Sequence, residues 1–344
     1  MAYTTIDNPE LFFQNKTYAG TGTATSTKAI TLDGSENMQP NFVWLKNRTI
    51  TANHALFDSV RGGTKVLNSN ANTGEATEGQ MLQSFDSDGF TVGTDSTVND
   101  ADSGNLNIIA WNWKESATAG FDIVSYTGNG TSGATVNHGL GVAPNWYMVK
   151  RRSDAGSWYM YHSGNTSAPA TDFLLLNENY ATEDGAQAWN DTEPTSSVFS
   201  LGDNENVNAN TSTYIAYLWS EVKGFSKFGS YTGNATGNGG GPFVYTGFKP
   251  AWIMIKNTNA TTDWYLYDNK RGGPVANYYG NNNKFYLKPN SNATEANETF
   301  DIYSNGFKIK ITNNFLNGDG NTLIYMAFAE SPFVNSKGIS TTAR

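Results

Sequence analysis

Two acidic and basic pairs stand at matching places in the chain. Asp58 and Arg61 precede Gly62-Gly63, and Asp268 and Arg271 precede Gly272-Gly273. A carboxylate and a guanidinium three residues apart form a hydrogen-bonding fork that could grip an anion or a sugar hydroxyl. The same pair can instead close a glycine turn as a structural ion pair, and that reading outweighs the first because no cleft is visible around these positions. Catalysis has little to work with. The chain has three histidines (His54, His138 and His162), no cysteine and no Gly-x-Ser-x-Gly elbow, so nucleophilic triads are poorly provided for. The 31 Asp and Glu residues offer many carboxylate pairs for glycan cleavage, but only geometry could select one. We expect a non-enzymatic chain with no catalytic residue and no cofactor. The acidic loops Asp95 to Gly104 and Asp203 to Asn210 carry oxygen ligands, yet lack the spacing and terminal bidentate Glu of a calcium loop. Turn chemistry, in which Asn and Asp bond their own backbone, explains them better, and no metal is expected.

The aromatics divide into two sets. Trp44, Trp113, Trp146, Trp219 and Trp252 recur at strand positions, which assigns them to core packing, since a buried aromatic contributes about 1.5 to 3 kcal/mol through its area alone. Better ligand contacts are aromatics present in only one part of the chain and set in polar loops: Tyr180, Trp189, Tyr278 and Tyr279.

The elements that would position these residues repeat. Pro40-Asn-Phe42-Val-Trp-Leu-Lys46 returns as Pro144-Asn-Trp146-Tyr-Met-Val-Lys150 and as Pro250-Ala-Trp252-Ile-Met-Ile-Lys256. Upstream lie Tyr18-Ala-Gly-Thr21, Tyr126-Thr-Gly-Asn129 and Tyr231-Thr-Gly-Asn234. Each copy closes on an aromatic followed two residues later by Glu: Trp113 and Glu115, Trp219 and Glu221, Phe328 and Glu330. In the middle copy His162 replaces the Asp of the Asp/Arg pair and no Arg follows. A period above 100 residues fits a duplicated domain, not a solenoid. The expected division is 1–117, with an N-terminal arm, then 118–223, then 224–344 with a short tail. The Phe42 to Lys46 strand and its copies are apolar on both alternating faces, as in a strand covered on each side. Short β-branched and aromatic runs bounded by Asn, Gly and Asp complete each copy. The expected fold is all-β, with three tandem homologous β-sandwich or jelly-roll-like modules, in a row or closed around a pseudo-threefold axis.

Composition narrows the setting. Only 15% of residues are charged, while 42 are Asn and 35 Gly, so the surface relies on neutral amides and hydroxyls. A net charge of −9 with dispersed Lys and Arg excludes a basic stripe for nucleic acid. Residues Met1 to Asn15 lack a basic segment leading into an apolar run, and no stretch approaches a spanning length, so neither a signal peptide nor membrane insertion is expected.

Several segments together resemble a known family. These are Tyr3-Thr-Thr-Ile-Asp-Asn-Pro9 with Phe12-Phe13, Gln39-Pro-Asn-Phe-Val-Trp-Leu-Lys46, Phe57-Asp-Ser-Val-Arg-Gly62-Gly63, Ser84-Phe-Asp-Ser-Asp-Gly-Phe90, and the ending Pro332-Phe-Val334 with Thr342-Ala-Arg344. They are similar to virion structural or tail fibre proteins of marine bacteriophages of cyanophage and podophage type. The resemblance covers essentially the whole chain and carries no catalytic residue across. It implies location in a phage particle, with other virion proteins and further copies of the chain as partners. The expected role is a tail- or fibre-associated component that contributes to host-surface polysaccharide attachment. A capsid decoration or scaffold role is the alternative, and a glycan depolymerase the third.

Overall fold

The computed structural model describes residues 3–21, 26–100, 107–271, 285–298 and 300–341. The chain is all-β, with antiparallel pairing throughout and only single-turn helices among those residues. No helix among them is long and apolar enough to cross a membrane.

Three sheets share one strand order. In the first, Phe13–Tyr18, Ile108–Trp113, Phe42–Asn47 and Ala55–Asp58 lie side by side. The second places Phe121–Thr127, Thr213–Trp219, Trp146–Arg151 and Tyr159–His162 in that order and extends it by two strands; the third runs Ser226–Thr232, Thr322–Pro332, Phe248–Asn257 and Tyr265–Asp268. The registers match as well. Trp113 lies between Phe13 and Phe42, Trp219 between Phe121 and Trp146, and Phe328 between Ser226 and Trp252. Smaller outer sheets cover each of these inner sheets. The Asp88-Gly89 turn joins one outer hairpin, where Gly89 takes φ +109 and an added Cβ would sit 1.9 Å from the Ile30 carbonyl oxygen.

Strand alternation explains why the inner strands are apolar on both faces. Val43 and Leu45 face a local core with Phe90 and Val92, while Phe42 and Trp44 face the opposite way. Tyr147 and Val149 likewise join Phe199 and Leu201, leaving Trp146 and Met148 on the other side. Those second faces meet in one shared core. Its rings close a circle: Phe42 lies 6.2 Å from Trp219, Trp146 is 6.4 Å from Trp252, and Trp252 is 5.5 Å from Trp113. The three inner sheets therefore surround a common axis in a pseudo-threefold ring.

Polar contacts repeat around the ring in one sense. The Trp158 indole donates to the Asn68 carbonyl at 2.9 Å and Trp264 to that of Leu175 at 3.0 Å, while His54 Nε2 lies 3.1 Å from the Lys288 carbonyl. Lys150, Lys256 and Lys46 reach the Asn72, Asn179 and Asn292 carbonyls at 3.1, 3.4 and 3.4 Å. Head-to-tail contacts that return to their start form a closed heterologous ring, usually built by separate subunits.

Candidate functional site

The Asp/Arg pairs lie inside that ring. Asp58 and Arg61 are buried and bonded to each other, and Tyr217 from the second sheet donates to Asp58 at 2.6 Å. Asp268 holds Arg271 at 2.5 Å and accepts the Trp111 indole N–H at 2.9 Å. His162, in the corresponding place, contacts the Tyr325 carbonyl at 3.1 Å. All three bind neighbouring sheets together and none offers a free fork to a ligand.

Burial also lowers Lys150 and Lys256 to about 7 and Lys46 to about 8. Such values can mark a reactive amine. Here each ammonium is enclosed by backbone carbonyls, as where Lys150 meets Gly156 at 2.7 Å and Asn72, so it serves as an internal staple.

The histidines give the ring an acid sensitivity. Burial pushes His162 down to about 4 and His54 well below its ordinary value. Between about pH 6.5 and 4 the unfolded chain therefore binds more protons than the folded one, so the stability associated with neutral His162 is complete above about 6.5 and lost as pH falls towards 4. The shift is worth about 3 kcal/mol. Urea midpoints should accordingly fall more steeply from pH 7.5 to 4.5 in the native protein than in His162→Gln; parallel slopes would show that His162 is not the sensor.

The acidic loops are occupied by turn chemistry. Asp95 accepts from Thr97 N at 2.7 Å and Asn204 from Asn206 N at 2.8 Å, each capping a single helical turn. Asn99, Asn208 and Asn317 then fasten the Tyr-x-Gly segments, accepting from Thr21, Asn129 and Asn234 N at 2.8, 3.0 and 2.8 Å. Residues 101–104 of the first loop lie outside the described residues. Among the described residues there is no group of three or more metal-ligating side chains.

A carboxyl pair does exist. Burial, with the Asp122 carboxylate as a neighbour, raises Glu115 to about 7.

The four aromatic contact candidates fare unequally. Trp189 is completely buried, packed edge-on to Tyr147 at 4.8 Å in the middle sandwich core, and is therefore corrected from contact residue to core residue. Its loop is polar, but the helical turn Ala186–Trp189 tucks the indole inward. Tyr180 is half-exposed and follows Asn179, whose carbonyl receives Lys256. Tyr278 and Tyr279 lie outside the described residues.

An exposed aromatic surface lies elsewhere, on the outer sheet of the third unit. Its strands Phe243–Tyr245, Gly306–Ile309 and Phe300–Tyr303 turn Val244, Phe307 and Ile302 inward to the core. Alternation sends Phe243, Tyr245 and Tyr303 outward, where they remain 46%, 51% and 42% exposed. Gly306 is the register partner of both Tyr245 and Tyr303 and forms a bare floor between them. The Phe243 ring meets Tyr303 edge-on at 5.9 Å, and a Cβ at Gly306 would come within 3.0 Å of Phe243. On the far side the Tyr245 hydroxyl lies 3.4 Å from that of Tyr3, whose ring carries the Lys223 ammonium 4.6 Å from its centroid. Tyr3 and Lys223 then border a depression of about 380 Å³ that includes Thr4, Thr118, Val142 and Ser220. Tyr3 thus links the exposed rings to a depression of mixed polar and apolar lining.

A family model described as a domain of unknown function, DUF7483, matches residues 8–332. The chain belongs to the DUF7483 family. No curated protein and no solved structure matches it. The DUF7483 match runs through all three inner sheets without interruption, so the family's unit is the whole ring. Phe243, Tyr245 and Tyr303 fall within it and Tyr3 just before it.

The sequence reading missed this surface, although a signal was present. Pairing with the neighbouring outer strand aligns Phe243 with Ala29 and Thr135, since their partners Lys308, Thr91 and Ser200 occupy corresponding places. Of these three outward-facing positions only Phe243 is aromatic.

Proposed function

We propose that this DUF7483 chain is a non-enzymatic component of a phage particle, tail- or fibre-associated, that contributes to attachment to host-surface glycan. The observation that carries the reading is the exposed Phe243, Tyr245 and Tyr303 cluster on a molecule whose nine tryptophans are all buried. Aromatic faces stack on the apolar faces of sugar rings, and tyrosine hydroxyls satisfy sugar hydroxyls without charge. The closed ring supplies a rigid base, so little ordering is left to oppose binding. The same reading divides the chain near 117 and 223 into three copies of one module, supported by the shared strand order and registers. It also places several copies of the chain beside other virion proteins.

A capsid decoration or scaffold role is the competing reading, favoured by the ring's closure: Asp7 bonds Ser336 N at 2.7 Å, tying the two ends of the chain together. Purified protein separates the two. The native chain should bind host cells or their surface polysaccharide, and Phe243→Ala/Tyr245→Ala/Tyr303→Ala should bind about a hundredfold more weakly at nearly the same thermal midpoint, at roughly 1 kcal/mol per ring. Undiminished binding would remove this face from the contact set; absence of binding by the native protein would favour the scaffold.

A further inference from the structure

The aromatic surface of the third unit ends at a positive charge. Tyr3, whose hydroxyl meets that of Tyr245 and donates to the Gly247 carbonyl at 2.8 Å, carries the Lys223 ammonium 4.6 Å from its ring centroid. The turn behind Lys223 fixes that placement. Gly224 takes φ +80 and lies so close to the N-terminal segment that an added Cβ would come within 2.9 Å of the Thr4 side chain. Glycine alone takes this conformation against Thr4 without a clash, and Lys223 is thereby set over Tyr3. Among the described residues no carboxylate is paired with the exposed Lys223 ammonium. Glu221, the one acidic residue lining the same depression, is taken by Lys227 at 3.8 Å. A cation held on a ring face is oriented in advance and keeps its N–H groups for an acceptor. Across the depression Val142, 52% exposed, and the nearly buried Leu140 supply an apolar part.

On the attachment reading, and deepening it, we propose that this depression takes an anionic sugar residue, carboxylated or sulfated, of the same glycan whose neighbouring rings stack on Phe243, Tyr245 and Tyr303. Its volume of about 380 Å³ lies in the lower part of the roughly 300–1,000 Å³ typical of small-molecule sites. The acidic group meets Lys223 as a charge-assisted acceptor, and the C–H face of the sugar ring rests on Val142. A neutral residue in the same place leaves the ammonium without a counter-charge. Elsewhere the chain's net charge of −9 disfavours an acidic glycan, so the preference for one depends on this single lysine and should be lost with it.

Calorimetric titration of the full chain tests this with oligogalacturonate, oligoalginate and sulfated oligogalactan, each against its carboxyl-reduced or desulfated counterpart. At least one acidic oligosaccharide should bind the native protein about tenfold or more tightly than its neutral form, and which one does so separates carboxylate from sulfate. Lys223→Met, which keeps an unbranched side chain on Tyr3, should abolish that preference with the thermal midpoint unchanged, while Lys223→Arg should keep it. Neutral forms bound as tightly as the acidic ones, and lost in Phe243→Ala/Tyr245→Ala/Tyr303→Ala, would overturn the acidic preference and leave the attachment reading standing. An acidic preference undiminished in Lys223→Met would overturn it too. Failure of every oligosaccharide to bind would reject both.

Discussion

Replacing Trp219 with alanine is expected to destabilise the whole ring, not only the second sheet. Trp219 is fully buried and stacked on Trp146 at 4.0 Å and on Phe121 at 4.7 Å. It also lies 6.2 Å from both Trp113 and Phe42, which belong to the first sheet. A cavity of indole size in a core that relaxes little costs about 3 to 5 kcal/mol. Because three sheets share that core, hydrogen-exchange protection should fall by the same factor in the inner strands of all three and unfolding should remain one transition. Protection lost in residues 118–223 alone would mean that the sheets are independently stable and only rest against one another.

Asp268→Ala should have an effect of similar size for an electrostatic reason. The carboxylate is the close partner of Arg271, accepts the Arg271 and Lys270 backbone N–H groups at 3.0 Å and takes the Trp111 indole N–H. Its removal leaves the guanidinium buried against Trp111, 5.6 Å from the ring centroid, with Glu295 3.7 Å away as its remaining carboxylate. Stranding one buried charge costs about 3 to 5 kcal/mol, whereas removing both partners for apolar groups of similar volume is often close to neutral. Denaturant midpoints should therefore fall sharply in Asp268→Ala and recover much of the loss in Asp268→Leu/Arg271→Met. Equal losses in the two variants would show that the fork matters for its backbone hydrogen bonds and not for its charge.

The all-β class was legible because the inner strands announce themselves. Phe42 to Lys46 and its two copies are apolar at every position before the lysine, and only burial on both faces permits that. What covers the second face was not legible, because the covering side chains come from another copy. Tyr217 reaches Asp58 from 159 residues away, and no local pattern encodes that contact. Nothing in the strands forecasts that the lysine closing each motif is buried against the neighbouring sheet's carbonyls. Candidate contact residues were harder still. An indole in an Asn-rich segment looked free, but one helical turn carried Trp189 into the core. The exposed rings were concealed within an ordinary alternating strand, Phe243-Val244-Tyr245, whose outward face shows only once strand pairing is known.

The most direct test of the attachment reading is an image of the phage particle that the reading proposes, at a resolution sufficient to locate and orient the ring. The account predicts the ring at an exposed site on the tail or its fibres, with the sheet face bearing Phe243, Tyr245 and Tyr303 turned outward to solvent. A ring lying flat on the capsid shell, or with that face closed over by another virion protein, would contradict it and make the aromatic cluster an assembly contact.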